Sequence, residues 1–493
     1  MRRAAALGID VGTTAVKVGL LFLDGAGEME TASRPYPTRR PREGWAEQDP
    51  ADWLAALAAC RAELDARCGP VEIRAIGVCS QVNTHHLVDA QLRPVTPAIT
   101  WQDLRAAPEA AEIDAAAAPR RTELWGGPFT ADASFSLSRV LWVERHAPAA
   151  SAAARWILSP KDHVVAALTG EVVTDALSPI GVVGPGDAYL PDVLALVPGS
   201  ARLLPPIRPF DAAAGATRPE NPAGLPAGIP VSVGTMDAWG SIFGSGLVRP
   251  GQAMEVSGTS EVVAVRSDRT VPTPGVISFP PVRGAHLHAG PTQAGGDSLS
   301  WAARCFGVSV PELLALAEEG RRDPRPLLFL PHLAGERAPL WNPDARGLFL
   351  GITSTTELRH LALAVLEGVA FSARRLMLAC ETAAGLPIAE VRLSGGGSRS
   401  LLWNRIKASA HGRVLTPLAS PDSGVLGAAL LGLVAAGIEP DLDAAGTRRV
   451  RLATPVEPEP AEQPRLDALY GLYTATYAAL EPIFPRLVAS GDR

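Results

Sequence analysis

The sequence predicts an α/β protein of two domains with a central cleft between them, and three observations lead there. At 493 residues the chain exceeds the size at which one hydrophobic core stops growing. Runs of β character alternate with stretches of helical periodicity. The third observation is a near-repeat: LGIDVGTTAVKVGLL at 7–21 and AMEVSGTSEVVAVR at 253–266 share a β-run, a glycine, two hydroxyl residues and a second β-run. One copy falls in each half, which places the domains at 1–248 and 249–493.

The elements follow in order. Ala4 to Ile9 and Val16 to Leu23 form a hairpin that the turn pair Asp24 and Gly25 ends. Asp49 caps a helix with Pro50 in its first position and Trp53, Leu54, Leu57 and Leu64 at roughly helical spacing. Ile73 to Val78 reads as a buried strand, and SQVNTHH follows it at a strand end, where open α/β sheets carry ligands. Residues 180 to 230, rich in Pro, Gly and Ala, predict a loop-heavy insertion with short helices before strands resume at Val231. Ser354 to Glu357 fits a capping box opening a helix through about Ala379, on which Glu367 reads as structural. Val391 to Ser394, Gly395 to Gly397 and Leu401 to Ala410 read as strand, turn and helix. Val425 to Gly437 is too short for a bilayer and suits a buried helix. Thr454 to Pro464 reads as a linker, and Leu466, Leu469, Tyr470, Tyr473 and Tyr477 mark a final amphipathic helix packed back on the body.

Composition narrows the function. A net charge of −6 offers no basic surplus for nucleic acid. The five cysteines are scattered and contain no CxxC pair, which fits a reducing cytoplasm rather than a zinc or redox site. The start MRRAAALGID imitates a signal peptide until Asp10 interrupts it; Arg2 and Arg3 read as a solvated tail, and no segment predicts a membrane protein. There is no GxxxxGK[ST], GxGxxG or GxSxG, so phosphate chemistry here must be of another kind and a serine hydrolase has no support. His85 and His86 face opposite ways in a strand, and His286 and His288 share a face without Cys or carboxylate partners, so all four read as structural or surface residues.

The glycine turns carry the chemistry. Gly12 with Thr13 and Thr14, and Gly258 with Thr259 and Ser260, let the backbone approach an anion while N–H groups and hydroxyls donate to its oxygens. Two such turns facing each other would clamp a triphosphate. The Gly395 to Gly397 cluster ahead of a helix N-terminus makes a third cradle.

These turns stand in order with GWAEQDPADW, IGVCSQ, PAITWQDLR, LSPKDHVVAALTGEVVTD, GTMDAWGSIFGSG, AGGDSLSW, LPHLAGERAP, ARGLFLGI, LEGVAFS and LSGGGSRSLLWNRI. Nearly end to end, the chain resembles the FGGY family of carbohydrate kinases, in the actin, hexokinase and Hsp70 superfamily, and among its branches the xylulokinases. The resemblance implies two ribonuclease-H-like domains, with ATP and sugar meeting in the cleft. It implies Asp237 as the base that takes the sugar hydroxyl proton, and Asp10 as the acid near Mg²⁺, reached through water. Thr13, Thr14, Gly258 and Thr259 match phosphate contacts, and Gly296, Gly396, Gly397 and Ser400 match positions bordering the nucleotide. Lys17 stands where relatives carry a basic residue near the phosphates, with a solvated strand position as the alternative.

On the sugar side the chain departs from its relatives. Xylulokinases usually show SGQMHG where this sequence has Cys79, Ser80, Gln81, Val82, Asn83 and Thr84. Ala238 and bulky Trp239 follow the base, and Ser134 stands where glycerol kinases place a Tyr. Asp103 and Arg105 keep the acidic and basic pair near the pocket, and Arg337 braces the cleft without acting in catalysis. Gln81, Val82, Asn83, Asp103, Ser134, Asp237 and Ala238 are therefore the expected sugar-side residues. The implied activity is transfer of the γ-phosphoryl group of ATP to a hydroxyl of a small sugar, a pentulose such as xylulose. The alternatives are another tetrulose, a polyol or a sugar acid, or a catalytically weak ATP- and sugar-binding sensor. A homodimer, common in the family, and a cytoplasmic location complete the expectations.

Overall fold

In the computed structural model, which describes residues 3–25, 27–127 and 129–491, the chain divides into two units. The first comprises residues up to Gly244 together with Gly424–Val450, and the second comprises Ser245–Ser423 together with the chain from Arg451 onward. A single cut between 248 and 249 therefore does not describe the chain, because a late segment belongs with the first unit.

The first unit is built on a seven-stranded sheet. Its central strand β1 (Arg3–Val11) is buried on both faces and pairs antiparallel with β2 (Ala15–Phe22), which pairs in turn with β3 (Met29–Pro35). Helix α1 (Pro50–Cys68) starts where Asp49 accepts a hydrogen bond from Ala51 N–H at 3.0 Å, and it lays Trp53, Ala56, Leu57, Cys60 and Leu64 on the sheet. The chain returns as β4 (Val71–Ser80), parallel to β1 on its other side. Next come α2 (Ser136–His146) and α3 (Pro160–Thr169), the latter opened by a Ser159/Asp162 capping box. Strands β5 (Ala213–Ala216), β6 (Pro230–Ser232) and the short β7 (Thr235–Met236) complete the sheet in the order β5-β6-β4-β1-β2-β3, with β7 on β4. Helix α4 (Asp237–Gly244) follows directly. The insertion at 180–230 is loop-rich as predicted, yet it also supplies β5, a strand the composition hid.

The late helix Ser423–Ala435 explains why its segment joins this unit. A Cβ at Gly8 would overlap the carbonyl of Val425, one at Gly77 the carbonyl of Ala428, and one at Gly427 the carbonyl of Gly240. Helix backbone lies directly on β1, β4 and α4 because those contact points carry no side chain.

The second unit repeats the plan. Strands β8 (Gln252–Ser257) and β9 (Glu261–Ser267) form an antiparallel hairpin, and β10 (Ile277–Val282) and β11 (Ala285–Pro291) extend it on the β9 side. Helix α5 (Gly296–Phe306) and the long α6 (Leu358–Ala384) lead to β12 (Glu390–Ser394), parallel to β8. After α7 (Leu401–His411), β13 (Leu415–Pro417) completes the order β10-β11-β9-β8-β12-β13. In each unit the first strand pairs antiparallel with the second and parallel with a later strand, β4 in the first and β12 in the second, so the near-repeat is a repeat of topology. Helix α8 (Gln463–Leu480) buries Leu466, Leu469, Tyr473 and Tyr477.

Several expectations are corrected. Helix α6 begins at Leu358, where Glu357 and His360 cap each other; Ser354 lies outside, in a turn held by the hydrogen bond from Thr353 N–H to the Thr356 hydroxyl at 2.9 Å. The supposed linker at 454–464 is docked: Val456 exchanges backbone hydrogen bonds with Leu415 at 2.8 and 3.0 Å and is buried. Arg2 lies outside the described residues, and Arg3 is part of β1, its guanidinium 3.6 Å from the centre of the Phe22 ring. Among the described residues no single helix is long and apolar enough to cross a membrane.

Candidate active site

In the first unit the chemistry gathers where β1, β4 and β7 end. Asp10, near the end of β1, has Lys17 of β2 and Cys79 of β4 as its register partners. A Cβ on Gly424 would lie 2.8 Å from Asp10 Oδ2, so this carboxylate sits over the start of the Ser423–Ala435 helix, where the peptide dipoles favour negative charge. Asp237 opens α4, one residue beyond β7, and its Oδ1 accepts from Ala238 N–H at 2.8 Å. Burial first, and the nearby Asp10 charge second, push the Asp237 carboxyl up to about 7. The same two carboxylates raise the Cys79 thiol, though its burial contributes more.

The Gly12 turn closes with a hydrogen bond from Gly12 N–H to Ala15 C=O at 3.1 Å and leaves Thr14 exposed. Gln48, fully buried, donates through Nε2 to Thr13 C=O at 2.8 Å, and its Oε1 accepts from Gln81 Nε2 at 2.8 Å and Trp53 Nε1 at 3.2 Å. Trp101 Nε1 donates to the Thr13 hydroxyl at 3.0 Å. The Gly12 turn and the residue that follows β4 are thus tied through Gln48. Gln48 lies in the GWAEQDPADW segment, but its role depends on contacts that sequence spacing does not show.

Asn83, at φ 51°, donates to the Ser134 hydroxyl at 3.0 Å, bringing two predicted sugar-side residues together, with half-buried Val82 beside them. Its carbonyl accepts from Arg139 of α2, a buried guanidinium that burial lowers to about 9 and that also meets His85 Nδ1 at 2.9 Å. Asp103 is engaged differently. Its side chain is fully buried, and Arg105 grips both oxygens at 2.8 and 2.7 Å while stacking 3.7 Å over Trp45. Trp239 is buried against Phe243 with ring centres 5.7 Å apart, a core position rather than a pocket wall. His86 pairs with His163 at 3.1 Å, and His288 lies between Ser267 and Ser278, as structural roles require.

Behind Asp237, Lys161 of α3 is completely buried, with Asp162 at 2.5 Å and Asp175 at 2.9 Å. Asp175 also accepts from the Thr235 hydroxyl at 3.0 Å, two residues before Asp237. A lone buried charge would be costly, so this paired cluster holds the strand end from which the candidate base projects.

In the second unit the Gly258 turn closes with a hydrogen bond from Gly258 N–H to Ser260 C=O at 3.0 Å, one residue tighter than the Gly12 turn. Gly296 N–H donates to Gly258 C=O at 2.9 Å and Asp297 N–H to Thr259 C=O at 3.0 Å, so the start of α5 is fastened to the turn. Arg337 Nη2 donates to the Ser260 hydroxyl at 3.1 Å and to Thr292 C=O at 2.6 Å. That direct contact with the turn was not anticipated. The third cradle is a single 3₁₀ turn at Gly396–Arg399, and Ser400 caps α7 by accepting from Trp403 N–H at 3.3 Å. A Cβ at Gly396 would meet nothing within 4 Å, whereas Gly395 and Gly397 both pack on Ser257.

Comparison with known proteins identifies the family. The model of the FGGY family of carbohydrate kinases, N-terminal domain, matches residues 5–244, and that of its C-terminal domain matches 253–436. The xylulose kinase of Escherichia coli (strain K12) is 34% identical over 450 residues, covering 88% of this chain and 91% of its own. The gluconokinase of Bacillus subtilis (strain 168) is 28% identical and covers 89% of both chains. The crystal structure of a xyloylose kinase from Brucella ovis superimposes with a TM-score of 0.84 at 31% identity, over 97% of this chain and 99% of its own. Two repeated units, each with a glycine-hydroxyl turn, and family models spanning most of the sequence lead to one conclusion: the chain belongs to the FGGY family of carbohydrate kinases.

Proposed function

We propose that this carbohydrate kinase phosphorylates a pentulose of the xylulose type, with Asp237 as the general base. The observation that carries the reading is the Asp237 carboxyl, half-buried at the start of α4 and held near 7 by burial and Asp10. A base poised there accepts a hydroxyl proton near neutrality as the sugar oxygen attacks the γ-phosphorus of ATP and ADP leaves. The Gly12 and Gly258 turns would supply N–H and hydroxyl donors to phosphate oxygens. Thr13, Thr14 and Thr259 are the residues that offer them, and Lys17 lies across from Asp10. Because Arg337 donates to the Ser260 oxygen, that hydroxyl keeps its own proton free for an acceptor. Gly296, Gly396, Gly397 and Ser400 would border the nucleotide.

Mg²⁺ fits the donor set: Asp10 offers one hard carboxylate, with the Asp237 carboxyl near it, suited to an ion that keeps its waters and shares substrate phosphates. Bound there, it would neutralise charge on the transferring phosphoryl group. On the sugar side Gln81, Val82, Asn83, Ser134 and Ala238 are the candidate contacts. Asp103 would act through Arg105 and the loop they hold, because both its oxygens are already engaged. A reducing cytoplasm, where ATP is abundant, is the proposed compartment.

The test is ADP release with MgATP against xylulose, other ketoses, polyols and gluconate, with Asp237→Asn alongside. Turnover highest on a pentulose, with kcat lowered about 10²–10⁴-fold by Asp237→Asn, is the expected result. Preference for gluconate would move the substrate toward the sugar acids. An Asp237→Asn enzyme that keeps its kcat would remove Asp237 from the chemistry.

A further inference from the structure

The second unit contains a buried charge cluster to which no role has been given. Glu255 near the end of β8, Glu261 at the start of β9, and Lys407 and His411 of α7 are all buried, none of the first three side chains exposing more than 1%. Lys407 Nζ lies 2.7 Å from Glu255 Oε1 and donates to Glu261 Oε2 at 2.9 Å; His411 Nε2 lies 3.0 Å from Glu255 Oε2. Lys407 also donates to the Ser257 hydroxyl at 2.5 Å, and that hydroxyl donates to Glu261 Oε2 at 2.9 Å.

Ser257 is where this cluster meets the glycine turns. It immediately precedes Gly258, and the third cradle rests on it: a Cβ at Gly395 would overlap its carbonyl, and one at Gly397 would lie 2.7 Å from its Cβ and 2.8 Å from the Trp403 ring. That ring also packs against the ammonium, with Nζ 4.3 Å from its centre. A single lysine thus fixes the residue that supports both turns. A purely apolar filling would pack this space at lower desolvation cost, so the ionic arrangement calls for a role beyond stability.

We propose that Lys407, clamped between Glu255 and Glu261, is a positioning residue that sets both glycine turns for the nucleotide through Ser257. The proposal rests on the reading of those turns as the ATP side. Glu261 is the adjustable member. Its carboxyl is pushed up to about 7 by burial first and by Glu255, against the pull of Lys407, while Lys407 and His411 hold Glu255 well below the usual range. Ionised, Glu261 accepts from both Ser257 and Lys407. Protonated, it loses acceptor capacity and the Ser257 anchor loosens. Nucleotide affinity is therefore expected to weaken as pH falls through about 7.

The experiment measures KM for ATP, KM for the best sugar and kcat from pH 5.5 to 9 for wild type, Lys407→Gln and Glu261→Gln, with binding of a magnesium complex of a nonhydrolysable ATP analogue measured by calorimetry. The expected result is that Lys407→Gln raises KM for ATP and weakens analogue binding about tenfold, as loss of a charge-assisted hydrogen bond predicts, while KM for sugar stays put. Glu261→Gln, close to isosteric with the protonated acid, should hold the raised KM at every pH, flattening a dependence that wild type shows below about 7. Titration of ATP itself is common to both curves and cancels in their comparison. Equal KM for ATP in all three proteins overturns the clamp while leaving the kinase reading intact. Wild type that binds no analogue and phosphorylates no sugar overturns both. Should Lys407→Gln fail to fold, the Glu261→Gln curve decides alone: a pH profile parallel to wild type refutes the proposal.

Discussion

At the scale of single residues, Asp237 holds a charge that its surroundings oppose. Its carboxyl sits near 7 in the folded chain and near the ordinary 3.8 unfolded, so folding takes up a proton between those values. Stability therefore falls as pH rises from about 4 to 7, because the native state must then carry a desolvated anion beside Asp10. Asp237→Asn is expected to be more stable than wild type at pH 8 by roughly 1–3 kcal/mol, a gain that shrinks toward pH 5. Thermal unfolding at the two pH values checks this. In the nucleotide-free protein, Asp10→Asn should lower the Asp237 midpoint, read from carboxyl carbon NMR; a midpoint unchanged from wild type would show that burial alone raises it. Such opposition is what the proposed role of Asp237 as general base requires, since it costs stability above pH 7.

At the scale of elements, the glycine path under the Ser423–Ala435 helix is the most exacting contact. Gly77→Ala would drive a methyl into the Ala428 carbonyl, and the expected cost is about 1–3 kcal/mol or more, visible as a lowered denaturation midpoint. Gly126→Ala, at a site where a Cβ meets nothing within 4 Å but φ is 69°, should cost less and serves as the control. The same elements show what a reader of the sequence could and could not see. The two hairpins were legible because a β-run, a glycine and paired hydroxyls are local signals, and α1 announced itself through Asp49 and Pro50. Strand β5 was not, since AAGA has no β-branched residue and is held by its pairing with β6. The docking of 454–464 was hidden because a Pro- and Glu-rich stretch looks solvated until Val456 finds Leu415. Asp237 and Asp10 were reachable through motifs. Lys407 was not, because 146 residues separate it from Glu261 and only the paired strands bring α7 to the hairpin. Gln48 joins Thr13 to Gln81 by contacts that no spacing rule encodes.

At the scale of the whole molecule, the two units differ in how the sequence supplies them. The first needs a segment that arrives only after Ser245–Ser423 of the second. A chain ending at Gly244 is therefore expected to be incompletely folded, with weak thermal cooperativity and rapid proteolysis, and a peptide covering 423–450 added in trans should restore protection. A fragment ending at Gly244 that resists protease as the full chain does would contradict this. The consequence reaches into biosynthesis. While the ribosome makes Ser245–Ser423, roughly 10–40 s at about 5–20 residues per second, the sheet carrying Asp10 has bare glycines where the late helix will lie. The nascent chain thus passes through an interval in which its first half is synthesised but unfinished, and the first unit matures only when the last tenth of the polypeptide is emerging.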